Sequence, residues 1–198
     1  DGSDAPDGIY YYECESGCNS IDSWARTFLY YPGSGSYPLP AWDMEIDSTG
    51  APHVAFFTGG GADNGIDYQL IYITCPTDCL GDNSWSGTVV GLPLDDGQGP
   101  DIELNAANQP RIAFMYDYDN LGYAWCNSNC AAADTSWQVT VVDTPEQQEA
   151  DNPQAIPPHC DQDLWEGRTP TMALDAEGNI YIAHDVTVEA RCEYEDPD

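Results

Sequence analysis

The sequence predicts an all-β protein made of repeated four-stranded antiparallel modules. Three observations predict it. Short segments alternate apolar and polar residues between Gly, Asn, Asp and Pro; two sequence units each recur three times; and six of the eight cysteines fall in three C-x3-C pairs.

The first unit reads Tyr-x2-Cys-x3-Cys-x5/6-Trp-x2-Thr, followed by two apolar residues. It runs Tyr11, Cys14, Cys18, Trp24, Thr27, then Tyr72, Cys75, Cys79, Trp85, Thr88, then Tyr123, Cys126, Cys130, Trp137, Thr140. The second unit is an alternating strand, a turn and another alternating strand. It occurs as Met44–Asp47 to Pro52–Phe56, Ile102–Asn105 to Pro110–Phe114, and Met172–Asp175 to Ile180–His184. In chain order the second unit supplies strands A and B, and the first supplies C and D. Four short strands per ~40–50 residues is the spacing of a β-propeller blade.

Element by element, residues 1–37 give a partial blade with strands C (Ile9–Cys14) and D (Trp24–Tyr31). Residues 38–96 and 97–143 are full blades. Residues 144–168 are polar and Pro-rich and predict an acidic surface loop held down by Cys160, with no helical periodicity in the chain to compete. Residues 169–198 give strands A (Thr171–Asp175), B (Ile180–Asp185) and C (Val186–Tyr194) of a last partial blade. Two full blades and two partial ones predict an incomplete or open ring, because closing one chain on itself gives three blades, below the usual four to eight: either the chain is a piece of a longer propeller, or another copy finishes the circle, or the modules form an open stack. The open edges favour self-association or a covering loop.

Four residues of extended strand separate Cα atoms by about 13 Å. A disulfide needs less than about 7 Å, so the chain must turn inside each C-x3-C pair. The intervening residues are turn formers, so Cys14–Cys18, Cys75–Cys79 and Cys126–Cys130 each staple a C–D hairpin, and Cys160–Cys192 is the pair left over. Paired cysteines in a loop-rich chain point to an oxidising compartment and a secreted or cell-surface protein. No stretch has the ~20 apolar residues of a membrane helix. The polar run from Asp1 without an apolar leader reads as an already processed chain.

The strands "GAPHVAFF", "NQPRIAFM" and "GNIYIAHD" and the "DSW", "NSW" and "TSW" turns resemble the secreted repeats of sialidase-like and Asp-box propellers. The likeness covers residues 9–31, 42–92, 100–142 and 169–192 and implies the architecture; the Ser-x-Asp-x-Gly-x-Thr-Trp motif itself is missing from every copy.

Charge narrows the partners. The chain has 35 acidic residues, four arginines (Arg26, Arg111, Arg168, Arg191), no lysine and a net charge of −31. Nucleic acid and anionic membranes are polyanions and are disfavoured; solubility, a divalent cation, a cationic partner or a salty habitat is favoured, and the expected partner is a protein or glycan at the cell surface. The B–C loops carry Asp63, Asn64 and Asp67, then Asp117, Asp119 and Asn120, at equivalent places. Clustered carboxylate and amide oxygens on Gly-rich turns suit calcium, although the EF-hand spacing is absent and solvated loops have the same composition. Asp95 and Asp96 are a lesser candidate.

Of the three histidines, His53 shares its place with Arg111 and Tyr181, which predicts a variable, exposed or half-exposed slot. His184 replaces Phe56 and Phe114, and His159 adjoins Cys160. His53 and His184 are the candidate ligands of a copper scavenger, against a hydrogen-bonded structural role. No G-x-S-x-G, HExxH or phosphate-binding Gly motif occurs. The sequence therefore favours a non-catalytic repeat protein for binding or assembly, with calcium on its rim. A sialidase-like glycan-processing enzyme, a copper scavenger and a filament subunit are the rival readings.

Overall fold

A computed structural model of the chain describes residues 8–30, 38–58, 69–81, 84–91, 97–116, 120–133, 135, 137–151, 160–166 and 169–192. Alternation becomes strand almost wherever it occurs. In chain order the strands are β1 (Ile9–Glu13), β2 (Ala25–Tyr30), β3 (Pro38–Ile46), β4 (Pro52–Thr58), β5 (Gln69–Thr74), β6 (Ser86–Val89), β7 (Gly97–Leu104), β8 (Pro110–Tyr116), β9 (Asn120–Trp125) and β10 (Gln138–Asp143). After a short helix α1 (Pro145–Asp151) come β11 (Cys160–Glu166), β12 (Thr171–Leu174), β13 (Ile180–Ala183) and β14 (Val186–Cys192). All pairings are antiparallel among the described residues. They form two four-stranded sheets, β3-β4-β5-β6 and β7-β8-β9-β10, and three pairs, β1-β2, β12-β13 and β11-β14.

One turn chemistry joins β3 to β4, β7 to β8 and β12 to β13. Asp47, Asn105 and Asp175 each open the turn with a side-chain oxygen that accepts two backbone N–H groups: those of Thr49 and Ala51, of Ala107 and Gln109, and of Glu177 and Asn179. The fourth residue is left-handed each time, Gly50 at φ 92°, Asn108 at 57° and Gly178 at 85°. Asn and Gly tolerate that region, and the result is the three-residue hairpin whose last residue forms a bulge.

A second device closes the tip after β1, β5 and β9. Cys14–Cys18, Cys75–Cys79 and Cys126–Cys130 are bonded, with Cα atoms 5.7, 5.6 and 5.7 Å apart. The residue before each second cysteine is left-handed: Gly17, Asp78 and Asn129 at φ 68°, 55° and 53°. The indole N–H of Trp24, Trp85 and Trp137 then donates to the carbonyl of the second cysteine at 3.2, 2.9 and 3.1 Å.

The sheets lie face against face. Ala55, Phe57, Leu70 and Tyr72 of the first four-stranded sheet pack on Ile102, Ile112 and Phe114 of the second and on Trp137 just before β10. On the other face of the first sheet, Val54, Phe56 and Ile73 meet Ile9 and Leu29 of β1-β2. Strand β4 is thus covered on both faces, which is why every one of its residues is buried. β12 runs along β7 on the far side of the second sheet, with Met172 buried there.

Two expectations need correction. Residues 144–168 are not all loop: α1 and β11 lie within them. Pro145 suits the first turn of a helix, where no N–H is needed, and Thr144 caps the turn by accepting the Gln147 N–H on its hydroxyl at 3.3 Å. Val186–Cys192 does form a strand, but as β14 it pairs with β11 and not with β13. Cys160 stands directly opposite Cys192 in that pair, and the two are bonded with Cα atoms 3.9 Å apart.

Candidate functional site

Three places bring ionisable side chains together. The first lies where β3, β7 and β12 run side by side. Asp43 and Glu45 on β3 lie near enough to Asp101 and Glu103 on β7 to repel them. Burial raises the Asp101 carboxyl, and repulsion from Asp43 adds to it; Glu103 is raised by burial and then by Glu45, Asp101 and Asp43. Two of these carboxylates make the same bond to the next sheet. Asp43 Oδ2 accepts the Ile102 N–H at 2.8 Å, and Asp101 accepts the N–H of Met172. The cluster was not foreseen as a site. Its signal was the acid in alternate places of two equivalent strands, Asp43 and Glu45 against Asp101 and Glu103.

The second place is a groove of about 580 Å³ beside His53 and Tyr72. The tyrosine hydroxyl lies 2.6 Å from His53 Nδ1, and His53 Nε2 faces Asp47 Oδ2 at 3.6 Å. His53 is buried, so the exposed or half-exposed slot expected for it is wrong: the face of β4 that carries it is covered. Burial pushes its imidazole below the ordinary histidine range, and Asp47 only partly offsets this. Burial pushes the Tyr72 phenol up. With both neutral, Tyr72 donates to Nδ1 and the Nε2 proton faces Asp47. Burial alone would raise Asp47, but bonds from Ala51, Thr49 and His53 outweigh it and hold the carboxyl down to about 2. A neutral phenol and a fully engaged carboxylate are poor nucleophile and base at pH 7.

The residues equivalent to His53 play the same part. The Tyr181 hydroxyl donates to Asp175 Oδ2 at 3.1 Å, and Arg111 donates to Asn127 Oδ1 at 2.9 Å and to the Cys126 carbonyl at 3.0 Å. In all three hairpins this position ties the turn or the neighbouring tip.

The third place is a groove of about 470 Å³ between β13 and the outer strands β9 and β10. His184 Nε2 faces Asp143 Oδ2 there at 3.7 Å, while its buried Nδ1 has no hydrogen-bond partner among the described residues. Leu121, Tyr123, Val142, Ile180 and Ile182 supply the apolar wall.

The histidines singled out for copper thus stand in different grooves, each facing one carboxylate. Among the described residues no group of three or more His, Cys, Asp or Glu is placed to hold a metal ion. Of the calcium candidates, Asp63, Asn64, Asp67, Asp117 and Asp119 lie outside the described residues, as do Asp95 and Asp96; Asn120 opens β9 opposite Tyr116. Arg26 on β2 lies over the Tyr10 ring, and Arg111 on β8 is bonded to the tip after β9. The four disulfides fit an oxidising compartment, and among the described residues no helix is long and apolar enough to cross a membrane.

The sequence matches no protein-family model, and no curated protein is significantly similar to it.

Proposed function

We propose that this chain is a non-catalytic repeat scaffold of the β-propeller type, working outside the cell by binding or assembly. One observation carries the reading. The side chains best suited to chemistry are spent on ties that recur from hairpin to hairpin: Asp47, Asn105 and Asp175 on the turns, His53, Arg111 and Tyr181 on the turn or tip, Asp43 and Asp101 on the next sheet. An active site breaks such regularity, because its groups must converge on a reacting atom. Calcium belongs to this proposal as the cation for the acidic B–C loops, which would order that rim.

The test joins an assay panel to a metal measurement. The purified chain is offered chromogenic glycosides and esters, and its melting is followed as calcium replaces chelator. The expected result is no turnover above blank and a melting temperature that rises with calcium. Saturable turnover abolished by His53→Ala or Tyr72→Phe overturns the non-catalytic reading, and a melting curve indifferent to calcium removes the cation.

A further inference from the structure

Acid recurs at set places in the hairpins, and one junction is cleared of it. The β3-β4 and β12-β13 turns open with Asp47 and Asp175, while the β7-β8 turn opens with Asn105. The first two tips carry Glu15 and Asp78; the third carries Asn127 and Asn129 in those two places. The turn and the tip that bear amides both border the groove of about 580 Å³ beside His53 and Tyr72, midway along the chain. The turn supplies Asn108 and Gln109, the tip supplies Asn127 to Asn129, and the first four-stranded sheet adds Thr74 and Ser86. Acidic residues number 35 in 198, yet among the described residues none that lines this groove is acidic, and none is an arginine.

The lining is held in place by bonds of its own. The Cys126–Cys130 disulfide and the Trp137 indole on the Cys130 carbonyl fix the tip. Gln109 Nε2 donates to the Asn127 carbonyl at 2.6 Å and so locks the turn to the tip. Asn108 Nδ2 donates to Ser48 Oγ at 2.9 Å and ties the turn to the preceding hairpin. Side chains fixed in advance lose little freedom when a ligand binds. Arg111 decides which end of the Asn127 amide is spent. A guanidinium only donates, and it donates to Asn127 Oδ1 at 2.9 Å. The Asn127 NH2 is left over and makes no hydrogen bond among the described residues; nor do the Asn129 amide and the hydroxyls of Ser86 and Ser128. All four residues are exposed. Together they offer donors and acceptors without charge, and Ala107, Ala131 and Ala132 set small apolar surface among them.

We propose that this groove binds a neutral carbohydrate. Sugar hydroxyls both donate and accept, which matches the amides and hydroxyls left over, and the C–H face of a sugar ring suits the alanines. An anion finds no guanidinium in the lining and is repelled by the net charge of −31. A cation finds no carboxylate there. A wholly apolar ligand would take water from the polar groups without replacing its bonds. The volume falls within the about 300–1,000 Å³ of small-molecule sites. Each bond to the sugar replaces one to water, so the affinity is modest, millimolar to micromolar. The inference rests on the proposed function and gives its binding a ligand class.

The experiment is a nuclear magnetic resonance titration of the isotope-labelled chain with cellotetraose, maltotetraose, mannotetraose and chitotetraose, each beside its monosaccharide, and with tetragalacturonic acid as the anionic control. The expected result is saturable movement of the Asn127 and Asn129 side-chain NH2 signals with at least one neutral saccharide, and none with the uronate. Asn127→Asp keeps an oxygen for Arg111 but loses the NH2, so it weakens binding about tenfold while circular dichroism is unchanged. Ser86→Ala weakens it about threefold, and Ser16→Ala in the first tip leaves it unchanged. Tighter binding of a tetrasaccharide than of its monosaccharide makes the source a glycan chain, and equal binding makes it a free sugar; either supports the site. Signals that no neutral saccharide moves overturn the proposal, as does tighter binding of the uronate or binding indifferent to both Asn127→Asp and Ser86→Ala. Cleavage of a bound saccharide sinks the non-catalytic reading and leaves the site standing. A chain that neither binds nor cleaves any of them loses the site and keeps the scaffold reading, so the two failures are told apart.

Discussion

At the residue scale, two of the cysteine tips hold a non-glycine residue in the left-handed region. Asp78 and Asn129 are left-handed where Gly17 stands in the first tip. Asp and Asn are tolerated in that region, and a β-branched residue is not. Asp78→Val should therefore lower stability by about 1–2 kcal/mol, read from denaturant midpoints, while Asp78→Gly leaves it unchanged or higher. Asp47 gives a pH test. Its folded carboxyl sits at about 2, below the ordinary aspartate value of about 3.9. The stability it contributes is therefore complete above about pH 4 and fades as pH falls toward 2. Asn105 shows that an amide oxygen can hold this turn. Asp47→Asn should thus lower the melting temperature modestly at pH 7, by loss of charge alone, and the gap should close in acid. Glu103 behaves oppositely. Its carboxyl is raised by burial first and by Glu45, Asp101 and Asp43 after, so the folded state is favoured when it is protonated and loses stability as pH rises through its range. Glu103→Gln should melt higher than the parent at neutral pH, with no difference well below the usual glutamate value of about 4.3.

At the element scale, the staples differ in what they constrain. Cys75–Cys79 spans four residues and Cys160–Cys192 spans 32. On the chain-entropy account the shorter crosslink is worth about 2 kcal/mol and the longer about 4. Replacing Cys160 and Cys192 with serine should cost nearly twice what replacing Cys75 and Cys79 costs, measured by urea unfolding. The short staples act through shape: each fixes a tip so that the tryptophan indole finds the cysteine carbonyl. β6 has a separate constraint. A methyl group on Gly87 would come 2.6 Å from the Tyr72 carbonyl oxygen and collide with the Ile73 side chain. That contact is with backbone of the paired strand and cannot relax, so Gly87→Ala should loosen β6 from β5 and speed hydrogen exchange at its amides.

At the scale of the whole molecule, charge opposes compaction. With 35 acidic residues and four basic ones, the folded chain concentrates repulsion that the unfolded chain spreads out. Screening length falls from about 30 Å at 0.01 M salt to about 10 Å at 0.1 M. The melting temperature should therefore rise with sodium chloride, most steeply across that interval. A flat response would mean that repulsion is already neutralised by bound cations. Stacking of sheets through Phe57, Phe114, Tyr72 and Trp137 supplies the attraction that outlasts this repulsion.

The sequence by itself determined whatever is local. Period-two alternation placed β3 to β10, Asp, Asn and Gly placed their turns, and C-x3-C spacing placed three tips, because each depends on residues within a few positions of one another. It did not reveal α1, where Pro145 reads as a loop former until its place in the first helical turn is known. It did not reveal that β14 takes β11 across 19 intervening residues in preference to the adjacent β13, nor that His53 is buried. The acidic cluster at Asp43, Glu45, Asp101 and Glu103 was equally illegible, since alternation fixes which side of a strand a residue faces and not which sheet will lie against that side. Those outcomes belong to the packing of one sheet on another. Only the tertiary structure decides them, because the free energy of covering a face depends on the surface that arrives there.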